Sequence, residues 1–140
     1  MKTEIKKAFT VSILFIFGAI GYYSLEIIFR GYSHWSMGIC GGICLVGIYF
    51  IDKLQKNIYI KALVSALLIT LIEFSAGCIL NLWLGLKVWD YGALRLQLLG
   101  QISLLFSMIW YALSLIIFLL FSLFKRKKRI LGMSIRNFKV

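Results

Sequence analysis

Residues Ala62–Leu86 read ALVSALLITLIEFSAGCILNLWLGL, and Glu73 is the one charged side chain among them. About 20 residues at ~1.5 Å rise per residue cover a hydrocarbon core of ~30 Å. The run therefore predicts a membrane-spanning helix. A carboxylate near the centre of such a helix costs on the order of 2.5–3.5 kcal/mol on insertion scales, so it faces a partner or a wet cavity rather than lipid. Glu73 is the first candidate for a functional group.

The rest of the chain repeats the pattern. Of 140 residues 61% are hydrophobic and none is proline, against about 45–50% apolar in soluble domains. Three more apolar runs accompany the first, and the spans fall at about Phe9–Phe29, Trp35–Ile51, Ala62–Leu86 and Leu98–Phe124. The expected fold is all-α, a single membrane domain over 1–140 built as an integral bundle of four transmembrane helices. A basic tail follows at 125–140. The first span is expected to stay uncleaved, because its apolar core exceeds the ~7–15 residues of a signal peptide and no A-x-A-like site follows it.

The formal charge of +11 belongs to topology rather than to nucleic acid. Lys2, Lys6 and Lys7 precede the first span, Lys53, Lys56 and Lys61 surround the second loop, and Lys125-Arg126-Lys127-Lys128-Arg129 with Arg136 and Lys139 follow the last span. The other two loops hold only Arg30, Lys87 and Arg95. Lys and Arg stay on the cytoplasmic side, so both termini are expected in the cytoplasm of a multi-pass cell-membrane protein. The basic run after the last span also suits anionic lipid.

Tyr32 and Gly41-Gly42-Ile43-Cys44-Leu45 recur in outline as Tyr91 and Gly100-Gln101-Ile102-Ser103-Leu104. This echo suggests two helical hairpins in parallel orientation, with chance similarity of apolar segments as the alternative. Gly38 and Gly42 form a G-x-x-x-G that permits close helix packing, within the chain or in a dimer.

The polar residues sort by depth. Glu26 and Arg30 are four apart, on one helix face, and can pair near the outer interface. Asn81 shares a stripe with Glu73, and Gln101, Ser103 and Ser107, placed on the fourth helix, are the expected neighbours of the carboxylate. Glu73 is then either a hydrogen-bond strut between helices or a group that titrates or holds a cation. Asp90 either caps the approach to the fourth helix or pairs with Lys87 or Arg95. Trp83, Trp89, Tyr91, Tyr22, Tyr23, Tyr32 and Trp35 suit an interfacial aromatic belt, and His34 suits a solvated or interfacial loop position. Cys40, Cys44 and Cys78 read as packing residues. With one His and five acids, no catalytic triad or metal set assembles, so no enzyme, metal or cofactor is expected.

The stretch Glu73-Phe-Ser-Ala-Gly-Cys-Ile-Leu-Asn-Leu-Trp-Leu-Gly-Leu-Lys-Val-Trp-Asp-Tyr, followed by Leu99-Gly-Gln-Ile-Ser-Leu, resembles the family labelled "putative ABC-transporter type IV permease". Tyr23-Ser-Leu-Glu-Ile-Ile-Phe-Arg-Gly-Tyr-Ser-His-Trp-Ser-Met, leading into Gly41-Gly-Ile-Cys, resembles it too. Glu26, Arg30, Gly31, Glu73, Asn81, Trp89, Asp90, Tyr91, Gly100 and Gln101 fit the family pattern. Gly92, Arg95 and Gln97 stand where the family commonly has Ser, Pro and Asn. The resemblance implies a transporter permease component without a named substrate. The alternative is a non-transporting structural or regulatory membrane protein that binds a partner or lipid. The expected partners are the lipid bilayer and either further copies of the chain or a separate ATPase subunit, with no nucleic acid.

Overall fold

The computed structural model describes residues 2–137. Four helices make up the fold: α1 (Lys2–Arg30), α2 (Trp35–Leu54), α3 (Ile58–Gly77) and α4 (Leu104–Asn137). Each contains a segment long and apolar enough to cross a membrane, at Thr3–Arg30, Trp35–Leu54, Ile58–Trp83 and Leu104–Leu131. The all-α membrane bundle read from composition is the architecture observed.

Local chemistry sets the helix ends. Gly31, at φ +77°, follows α1 and donates its N–H to the Ile27 carbonyl, the left-handed close that glycine allows without strain. His34 caps α2, its Nδ1 accepting from the Ser36 amide. It is therefore a half-buried helix cap rather than a fully solvated loop residue. Asn57 caps α3, its side-chain oxygen accepting from Tyr59 and Ile60, which satisfies two of the free amides of the first turn. The α3 helix thus begins before Ala62. The basic residues after Phe124 continue α4 in helical form to Asn137, while Lys139 lies outside the described residues.

The largest departure from the sequence reading follows Gly77. The α-helix widens there into a π-helical turn, Cys78–Trp83, so the third helix does not reach Leu86. Residues 84–103 then form a folded loop that holds a two-stranded antiparallel hairpin, β1 (Gln97–Leu98) with β2 (Ile102–Ser103). The fourth helix begins at Leu104 rather than Leu98, so Gln101 and Ser103 lie in the hairpin. The sequence echo is consequently not one of backbone, since Gly41–Leu45 is helical where Gly100–Ser103 is a turn and strand.

The packing order follows the chain: α1 lies along α2, α2 against α3 and α3 against α4. Glycines permit the first contact. A Cβ at Gly41 would strike the Tyr22 side chain, and one at Gly42 would lie 2.7 Å from the Phe15 ring. The G-x-x-x-G face is thus occupied by α1 of the same chain. At the end of the bundle bearing the basic loops, Asp52 accepts a 2.6 Å bond from Lys61 and a further one from Lys125. One carboxylate thereby ties α2 to both α3 and α4.

Candidate functional site

The loop after the π turn docks on the bundle through polar bonds. Asn81 Oδ1 accepts from the Val88 amide at 2.7 Å, while its Nδ2 donates to the Trp89 carbonyl at 3.0 Å and to Gln101 Oε1 at 2.7 Å. Trp89 is 4% exposed and donates its indole N–H to the Gln101 carbonyl. It packs with Met37 and Val88 inside the molecule, so it does not belong to the aromatic belt. Trp35 and Trp83 are exposed and fit that belt. Gly77 makes room for the docked loop: a Cβ there would sit 2.6 Å from Gln101 Oε1 and 3.0 Å from the Trp89 ring.

The Trp-Asp-Tyr segment divides its work among three side chains. Trp89 anchors the loop. Asp90 folds it, because its Oδ1 accepts from the Gly92 amide at 2.7 Å. The same oxygen fills the space over Gly100, where a Cβ would approach to 2.6 Å at φ +69°. Asp90 therefore makes neither of the expected contacts, with Lys87 or Arg95 or at the start of α4. Ser103 takes the capping position instead, its Oγ accepting from the Phe106 amide.

Tyr91 points inward and donates its hydroxyl to Glu73 Oε1 at 2.8 Å. Its ring stacks on Phe106 at 4.5 Å and 17°. Burial, and then the Glu73 carboxylate beside it, hold the Tyr91 phenol above its ordinary value, so the hydroxyl stays a donor. The second oxygen of Glu73 accepts from Trp110 Nε1 on α4 at 3.0 Å. Glu73 is 6% exposed, and its two oxygens join the loop 84–103 to the fourth helix through α3.

These partners differ from the expected ones. Gln101 serves Asn81, Ser103 caps α4, and Ser107 pairs with Thr70 at 3.0 Å. None of the three bonds Glu73. Trp110, which does, was not singled out from the sequence. The available signal was that a buried indole N–H needs an acceptor.

Glu26 and Arg30 form the expected pair, at 3.1 Å, and the pair reaches further than its own helix. Arg30 also donates to the Val88 carbonyl at 2.8 Å and to Tyr32 Oη, while Ser33 donates to the other Glu26 oxygen at 2.6 Å. The end of α1 thereby grips the loop at Val88, the residue whose amide Asn81 holds.

A cavity of about 440 Å³ lies among all four helices, with Glu73, Tyr22 and Trp110 in its wall. Cys40 and Cys44 face it as free thiols. Among the described residues no group of three His, Cys, Asp or Glu side chains is placed to hold a metal ion.

Four apolar spans and a polar cluster buried at one end of the bundle define a multi-pass membrane protein. The chain belongs to the family described as "putative ABC-transporter type IV", whose model matches residues 13–138. No curated protein matches it, and no solved structure does.

Proposed function

We propose that the chain is a permease component of a membrane transport system and that Glu73 is its working group. The carrying observation is the position of that carboxylate, bonded to Tyr91 of the outer loop and Trp110 of α4 beside the four-helix cavity. A group joined to both a loop and a helix can report occupancy of the cavity to the surface. Asn81 with Gln101, and Glu26 with Arg30, hold the loop that carries Tyr91, while Trp89, Asp90 and Gly100 give that loop its shape. Both termini are cytoplasmic on this reading, because the basic residues gather on their side of the membrane. The family name supports a transport role.

Transport driven by ATP would draw on an ATPase outside these 140 residues, which hold no phosphate-binding G-x-x-x-x-G-K-[ST] loop. Purification from its own cells in mild detergent tests the reading. The expected result is a reproducible complex with an ATPase whose hydrolysis rate changes on Glu73→Gln. A reproducible complex with unrelated enzymes and no ATPase would contradict it and favour a regulatory membrane protein.

A further inference from the structure

The inference here rests on the proposed Glu73 site and concerns what that site takes. Two acids within the helices are matched by cations: Glu26 by Arg30, and Asp52 by Lys61 and Lys125. No Lys or Arg side chain among the described residues pairs with Glu73, whose two bonds come from neutral donors. Each carboxylate oxygen can accept more than one bond, so acceptor capacity remains on the cavity side.

The rest of the cavity has the character of a cation receptor. Its volume, about 440 Å³, lies within the ~300–1,000 Å³ of small-molecule clefts. Phe17, Leu25, Leu113 and Ile117 supply apolar wall from α1 and α4. Tyr22 and Trp110 stand beside Glu73 with ring centroids 5.7 Å apart, tilted at 42°, and aromatic faces attract cations, the more strongly when water is excluded. Ser114, one turn along α4 from Trp110, lines the same cavity, and its buried Oγ has no hydrogen-bond partner.

Access is from the side. The helices pack in chain order, and α1 and α4 make no comparable contact with each other although both line the cavity. Gly21 keeps the α1 wall low, for a Cβ there would meet nothing within 4 Å. An apolar molecule dissolved in the bilayer can enter between these two helices. A carboxylate at the back of the cleft repels anions, and a neutral hydrocarbon gains nothing from it.

We propose that this cavity binds a lipophilic monocation, with the charge against Glu73 and the aromatic pair and the apolar body between α1 and α4. The test is equilibrium binding of radiolabelled tetraphenylphosphonium to the purified full chain in nanodiscs, with tetraphenylborate as an anion of the same shape. The expected result is saturable binding, at least tenfold weaker in Glu73→Gln and not displaced by tetraphenylborate. Gly21→Leu fills open space, so it should abolish binding while the unfolding temperature holds. Absence of saturable binding, equal binding by Glu73→Gln, or equal displacement by the anion would overturn the proposal. If Glu73→Gln does not fold, undiminished binding by Gly21→Leu overturns it. Cation binding by a chain without an ATPase partner would uphold this inference while contradicting the transport reading. An ATPase complex that binds no cation would do the reverse.

Discussion

At the residue scale, two neutral donors hold Glu73. Its two oxygens take one bond each from Tyr91 and Trp110, and hydrogen bonds between membrane helices average about 0.6 kcal/mol, reaching ~1.7. Tyr91→Phe and Trp110→Phe should each lower stability by about 1 kcal/mol, read as a fall in unfolding temperature in detergent. Unchanged stability in both would mean that the bonds carry nothing. Gly77 makes a sharper case, because even a methyl group there meets Gln101 and the Trp89 ring. Overpacking costs about 1–3 kcal/mol, so Gly77→Ala should loosen the loop and speed tryptic cleavage at exposed Lys87 and Arg95. Cleavage at the parental rate would contradict the docking. That Glu73 needs buried partners was legible in the sequence, since a lone carboxylate in an apolar run is conspicuous. Its partners were not. Tyr91 reaches it only because the loop folds inward, and Trp110 looks like one more apolar residue until its N–H is matched with an acceptor.

At the element scale the loop 84–103 is the part that the sequence concealed. Leu96-Gln97-Leu98-Leu99-Gly100-Gln101-Ile102 has no proline and no charge, so it reads as the start of the following helix. The bonds from Asn81 and Trp89 to Gln101 are long-range and override that local preference. The cost is visible in the backbone. Lys87, Leu96 and Leu99 adopt φ values of 49°, 53° and 52°, each costing on the order of 1–3 kcal/mol for a residue other than glycine. Leu99 and Gly100 both have positive φ at the centre of the turn closed by the Gln101 amide on the Leu98 carbonyl, the geometry that favours Asn-Gly. Leu99→Asn should therefore raise stability by about 1 kcal/mol, measurable as a higher unfolding temperature; a lower one would argue against the turn. Arg30→Ala removes the donor to the Val88 carbonyl and should expose the loop to trypsin, which ties the Glu26–Arg30 pair to loop docking rather than to α1 alone.

At the scale of the whole molecule, four spans and their order were readable from apolar run lengths, because hydrocarbon thickness dictates them. The use of each face was not. Gly38, Gly41 and Gly42 of α2 are spent on α1, and α1 and α4 are left facing each other across an apolar cleft. Gly42→Ala should disrupt the first of these arrangements, at a cost of about 1–3 kcal/mol, since its new methyl group lies against Phe15. A variant as stable as the parent would mean that α1 packs elsewhere. The central claim is that Glu73, joined to the loop and to α4, does the work of transport. Everted vesicles carrying the chain with its native partners, assayed for uptake across a panel of radiolabelled solutes that includes tetraphenylphosphonium, test it most directly. Glu73→Gln and Glu73→Ala should each lower the transported solute's rate at least tenfold at equal protein level. Parental rates in both variants would contradict the account.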